Sequence, residues 1–126
     1  MTALIRHITV DCADPYTLAG FWSEVTGYPR HPSDEPGADQ ALLVAPDGEG
    51  PGVLFSRVPE GKSGKNRVHL DLQPTDCKRD EQVDHLLTLG ATMVSDQRNA
   101  DGTGWVVLAD PEGNEFCVER SLSERA

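Results

Sequence analysis

Two landmarks of different kinds recur along this chain at almost the same interval. A histidine inside an alternating segment stands at His7 and another at His69, 62 residues on. A glycine closing an amphipathic segment stands at Gly27 and again at Gly90, 63 residues on. Self-similarity at a fixed spacing is the signature of repeated structural units, and it constrains the architecture more than any single motif does. Two unrelated βα units are the alternative reading.

The copies read alike element by element. In the first, residues 4–10 are expected to form a strand. Asp14-Pro15 then offers a capping side chain followed by the residue that suits the first helical position. Leu18, Phe21, Trp22 and Val25 follow at i, i+3, i+4 and i+7, one apolar stripe, and Gly27 terminates it. Pro29, Pro32, Pro36 and Gly37 make residues 28–39 loop-like. Short strands are expected at 41–45 and, beyond the turn Pro46-Asp47-Gly48, at 52–58. In the second copy, residues 67–73 alternate as a strand, Pro74-Thr75-Asp76 offers a helix start, Val83, Leu86 and Leu87 give the stripe, and Gly90 closes it. Strands are expected at 91–95, 105–109 and 114–120, the last two joined by the turn Asp110-Pro111-Glu112-Gly113. The polar, glycine-bearing segment between the copies reads as an exposed connection. The chain is thus expected to be one domain of residues 1–126, with modules at about 1–59 and 67–120 and a linker at 60–66.

Composition narrows the partners. At 126 residues the chain is long enough to bury a core without staples. Its 21 acidic and 11 basic residues give a net charge of -10, a field that repels phosphate backbones and anionic headgroups. Nucleic acid and membrane are therefore not expected as partners. Cys12, Cys77 and Cys117 form neither an even framework nor a C-x-x-C pair, which fits a reducing cytoplasm. No signal-peptide pattern opens the sequence, and no apolar run approaches the ~18 residues of a membrane span.

Strand alternation assigns faces before any fold is known. Ile8 and Val10 share one side of the first strand, and His7, Thr9 and Asp11 the other. Val68, Leu70 and Leu72 form an apolar row opposite Arg67, His69 and Asp71. In the last strand Phe116 and Val118 oppose Glu115, Cys117 and Glu119. The apolar rows need cover and the two amphipathic helices can supply it, so the polar rows are expected to line the open side.

The segments DCADPYTLAGFWSEVTGY, KNRVHLDL and WVVLADPEGNEFCVE together resemble the glyoxalase-like members of the vicinal oxygen chelate superfamily, the glyoxalase/bleomycin resistance/dioxygenase group, over nearly the whole chain. The resemblance implies an α+β fold: two tandem βαβββ modules forming a cup-shaped, partly open eight-stranded sheet, one helix per module outside. It implies a divalent metal (Zn, Ni, Fe or Mn) held by histidines from the first strand of each module and a carboxylate on the last. His7 and His69 match the histidine positions. In the pattern D-P-x-G-N-x-x-E, however, this chain carries Cys117 where the glutamate belongs, and the corresponding place in the first module is Phe55.

Two functions remain open. As a lyase, isomerase or dioxygenase, the chain would hold a metal through His7, His69 and Cys117 or a neighbouring carboxylate, with Glu119 or Glu115 moving a proton. As a metal-free small-molecule or antibiotic-binding protein, it would use the same residues as polar lining, with Cys117 an ordinary semi-buried side chain. Phe55, Trp105 and Tyr28 are candidates to stack on a flat ligand, Arg57 to attract an anionic group, and Asp71 to bind substrate or orient His69. Asp14 and Asp110 are expected to fix turns. The resemblance also implies a homodimer.

Overall fold

The computed structural model describes residues 1–125. The chain divides into two compact units, Met1–Gly61 and Lys62–Ala126.

The first unit comprises β1 (His7–Cys12), α1 (Pro15–Thr26), β2 (Gln40–Leu43) and β3 (Gly52–Arg57). Its sheet runs β1-β3-β2, with β1 parallel and β2 antiparallel to the central β3. The local code for α1 reads through directly. The Asp14 carboxylate accepts hydrogen bonds from the Thr17 N–H at 3.4 Å and hydroxyl at 2.7 Å, satisfying a donor that the first turn leaves free. Gly27 ends the helix in the left-handed region at φ 74°, where a side chain is costly. The stripe Leu18, Phe21 and Trp22 is buried, and α1 packs on β2 and β3. The register aligns Val10, Phe55 and Ala41 across the sheet, so this row, with Val53 and Leu43, forms the face beneath the helix. Fully burying one large apolar side chain of this kind contributes about 2 kcal/mol.

Two expectations for this unit change. β1 begins at His7 rather than at residue 4, leaving Leu4 and Ile5 exposed. The unit also holds three strands, not four. The missing strand is reduced to a single antiparallel bridge between Arg30 and Leu43, because Pro29 and Pro32 on either side lack the N–H that a ladder requires. Seven strands, not eight, are therefore present among the described residues.

The second unit follows the full βαβββ order: β4 (Asp71–Leu72), α2 (Arg79–Thr88), β5 (Thr92–Arg98), β6 (Gly104–Ala109) and β7 (Glu115–Val118), then a short 3-10 turn at Ser123–Arg125. The sheet order is β4-β7-β6-β5, with β4 parallel to β7 and the other pairs antiparallel. Val106, Leu108, Phe116 and Val118 are buried on one face with Val83 and Leu86 of α2. The Asp110 carboxylate pins the β6–β7 hairpin by accepting from the Glu112 N–H at 2.9 Å and the Asn114 N–H at 3.0 Å.

Here too the boundaries move. α2 starts at Arg79, not at 74–76, because its N-terminal donors find partners only there. Glu81 accepts from the Lys78 N–H at 3.2 Å, and Glu124 accepts from the Arg79 N–H at 2.7 Å. The strand expected at 67–73 contracts to two residues, and Val68, placed in the apolar row by alternation, is 77% exposed. β5 is longer than expected and carries an irregularity between Met93 and Ser95, an extra residue of the β-bulge kind. Among the described residues all three cysteines are free, and no helix is long and apolar enough to cross a membrane.

Candidate functional site

The unburied face of the second sheet collects the polar residues that alternation assigned to it. β7 sends Phe116 and Val118 into the core, so Glu115, Cys117 and Glu119 must point the other way. Register places Asp71 beside Cys117 and Cys117 beside Val107, and Trp105 stands two residues from Val107 on the same face of β6. Together with His69 and Lys65 these side chains line a hollow of about 380 Å³.

Three potential ligand atoms meet on its wall. His69 Nδ1 lies 3.2 Å from Asp71 Oδ1 and 3.9 Å from Cys117 Sγ, and the three donors all fall within 4.8 Å of one another. The fit to a metal can be judged by its bonds. Zinc bonds of about 2.0–2.3 Å to nitrogen and sulfur put tetrahedral donor atoms roughly 3.3–3.8 Å apart. The observed separations straddle that range, so the residues present fit such an ion. The set of imidazole, carboxylate and thiol is softer than the histidine–glutamate set of the family pattern and suits zinc above manganese.

The electrostatics of the wall separate its acidic groups. Cys117 is buried, and that burial pushes its thiol above the ordinary value, with the nearby Asp71 and Glu119 carboxylates adding to the effect. A bound divalent cation reverses this balance by deprotonating a coordinating thiol. Glu115 is bound by the Lys62 ammonium at 2.8 Å and accepts from the Asn66 N–H at 3.3 Å. The hydrogen bond from Lys62 holds its carboxyl below the usual range, which suits an anchor better than a proton carrier. Glu119 has a longer contact, 3.4 Å to Arg125.

Among the residues singled out from sequence, Asp71, His69, Trp105, Glu115, Cys117 and Glu119 thus line one hollow. His7, Phe55 and Arg57 belong to the first unit. His7 is half-buried on the face of β1 away from α1. Phe55 has no exposed surface; as a central-strand residue beneath α1 it is core, and its assignment as a ligand-stacking residue is corrected. Arg57 sits at the end of β3, donating to the Ala13 carbonyl at 3.1 Å and pairing with Asp39 at 3.4 Å, beside a separate open hollow that Gln40 and Val58 also line. Tyr28 donates its hydroxyl to the Glu49 carbonyl at 3.3 Å. Lys65 was missed, because it falls in the polar segment read as a connection. No local pattern marks it, because residues 65–70 belong to no strand and alternation does not extend to them.

Residues 7–119 match the glyoxalase-like domain family. No curated protein matches the chain. Solved structures with the same fold include a glyoxalase/bleomycin resistance protein/dioxygenase family enzyme from Burkholderia phytofirmans, 19% identical, covering 92% of this chain and 97% of that one with a TM-score of 0.70. The fosfomycin resistance protein FosX from Listeria monocytogenes, solved as a mutant complexed with Mn(II) and 1S,2S-dihydroxypropylphosphonic acid, is 16% identical over 99% of this chain and 95% of that one, with a TM-score of 0.70. FosX from Mesorhizobium loti is 15% identical over 99% and 98%, with a TM-score of 0.68. The solved structures share the α+β fold, and the family model spanning residues 7–119 shows that the chain belongs to the glyoxalase-like domain family.

Proposed function

We propose that the chain is a metal-assisted enzyme acting on a small molecule, with its reaction centre in the hollow of the second unit. The observation that carries this reading is the convergence of His69, Asp71 and Cys117 within 4.8 Å on the wall of a cavity large enough for a small ligand. A divalent ion bound there would act as a Lewis acid on a substrate oxygen. The protein's own groups have separable tasks. Asp71, paired with the His69 imidazole in the ion-free protein, would join His69 and Cys117 as a ligand to the ion. Glu119 lines the same hollow and is placed to accept or return a substrate proton. Trp105 supplies a flat apolar wall.

A second reading, a metal-free binding protein, is favoured by one observation: the His69–Asp71 pair and the protonated Cys117 satisfy one another without an ion. Metal content decides between them. The protein purified from zinc-containing medium and dialysed is expected to retain zinc, and the cobalt-substituted protein to show a thiolate charge-transfer band. Both should be lost in Cys117→Ala and His69→Ala. Metal content unchanged by Cys117→Ala and His69→Ala would defeat the enzyme reading, and a metal-free wild type that binds organic ligands would establish the second.

A further inference from the structure

Among the described residues, the hollow contains one lysine that forms no ion pair with a carboxylate. Its three acidic side chains each have a partner: Asp71 has His69, Glu115 has Lys62 and Glu119 has Arg125. Lys65, the one lysine on the lining, takes part in none of the ion pairs among the described residues. In a chain with a net charge of -10, a lysine facing three carboxylates would ordinarily be drawn into a pair with one of them.

The segment carrying Lys65 is not a loose connection. Glu115, the first residue of β7, grips it on both sides of the lysine, through the Lys62 ammonium at 2.8 Å and the Asn66 backbone N–H at 3.3 Å. Lys62 also donates to the Gly64 carbonyl. The carboxylate of Glu115 therefore ties this segment to the sheet through the Asn66 backbone and the Lys62 side chain, with Lys65 between them on the lining of the hollow. Fixing a charged group before its ligand arrives removes part of the ordering cost of binding. Across the lining, Trp105 presents an aromatic surface that is 46% exposed, with Val107 beside it.

We infer that the hollow recognises a small conjugated or aromatic carboxylate: Lys65, held by the Glu115 clamp, binds the anionic group while the flat portion lies on Trp105. This rests on the reading that the second unit's hollow is the binding centre, and it supplies the substrate class. The volume of about 380 Å³ lies at the small end of ligand pockets, which limits the occupant to about one substituted ring. Glu115 is on this account a positioning residue that acts through Lys65.

The probes are benzoate, its uncharged analogue benzamide, and cyclohexanecarboxylate, which keeps the charge and lacks the flat face. Binding is followed by NMR on the full chain treated with EDTA, using the Trp105 indole N–H resonance identified with Trp105→Phe. Benzoate is expected to shift that resonance and to bind several-fold more tightly than either analogue. Lys65→Gln should weaken benzoate about fivefold, the size expected of a partly exposed ion pair, and leave benzamide unchanged. Glu115→Gln should produce the same charge-selective loss, which mere destabilisation of the fold would not. Equal affinity for benzoate and benzamide, no effect of Lys65→Gln, or no binding by any probe would overturn the inference. Because the metal is removed, such a failure leaves the cobalt–thiolate test of the metal site standing, and a protein that holds no metal can still show the Lys65-dependent preference for benzoate.

Discussion

Replacing Gly104 with alanine tests how the wall bearing Trp105 is built. Gly104 opens β6 at φ 95°, and an added Cβ would fall far inside van der Waals contact of the Gln97 carbonyl oxygen, 3.0 Å from Gln97 C and 3.1 Å from Arg98 Cα. Those atoms are backbone of the paired strand β5, with Arg98 directly opposite Gly104, so no side chain can swing away. Gly102 is the matched control: its φ is 90°, and a Cβ there meets nothing within 4 Å. Both substitutions incur about 1–2 kcal/mol for a left-handed L-residue, offset by about 0.4–1 kcal/mol of lost unfolded-state freedom. Gly102→Ala should therefore cost about 1 kcal/mol. Gly104→Ala must also part the strands at the hairpin end, disturbing ladder hydrogen bonds worth about 1 kcal/mol each and the 3.0 Å bond from Arg79 to the Gly104 carbonyl, for a total near 3–4 kcal/mol. At about 4 °C per kcal/mol for a chain of this size, thermal unfolding followed by circular dichroism should show losses of roughly 4 °C and 12–16 °C. Equal losses for the two variants would refute the steric argument.

Arg79→Met should cost about 3 kcal/mol in urea unfolding, because the buried guanidinium donates to the carbonyls of Gly102, Thr103 and Gly104 and each would lose that bond, Thr103 keeping the Asn99 N–H. Glu124→Gln should cost about 1 kcal/mol in the same assay, since its carboxylate accepts from the Arg79 N–H at the start of α2 and from the Ser121 N–H near its own turn. Acid titration of stability has a defined sign. Hydrogen bonds from Arg98 lower the Asp96 carboxyl to about 2, and those from Ser121 and Arg79 lower Glu124. Their contributions are complete above the ordinary carboxylate values and disappear as pH falls through the lowered ones, so stability should decline from about pH 4 toward 2, and Asp96→Asn should flatten that decline. Cys117→Glu, which restores the family carboxylate, should shift metal preference from zinc toward manganese in competitive binding.

Elements governed by neighbouring residues were readable from sequence. Asp14 and Gly27 bracket α1 through contacts within one turn, and Asp110 fixes the last hairpin through residues two and four ahead. The start of α2 was not readable, because Glu124 caps it from 45 residues away and Pro74-Thr75-Asp76 imitates a cap without such a partner. The contraction of the strand at 67–73 has the same origin: its extent depends on how much of β7 is available for parallel pairing, which no local pattern records. Alternation grouped Glu115, Cys117 and Glu119 on one face of β7 because the buried Phe116 and Val118 dictate where their neighbours point. Alternation was not applied to Phe55, whose stacking potential was read from residue type without regard to which face lies under α1. Lys65 escaped because its position depends on the grip of Glu115, 50 residues along the chain.

The division of labour within β7 has a consequence for how such a chain changes over time. Residues answerable to folding and residues answerable to chemistry occupy adjacent positions yet project to opposite sides, so point substitution can replace one reactive group with another while the packing beneath is untouched. A deletion within the preceding turn would do the reverse, presenting Phe116 and Val118 to solvent and forcing a thiol and two carboxylates inward. Lineages carrying this strand can therefore explore new reagents freely and new loop lengths there hardly at all.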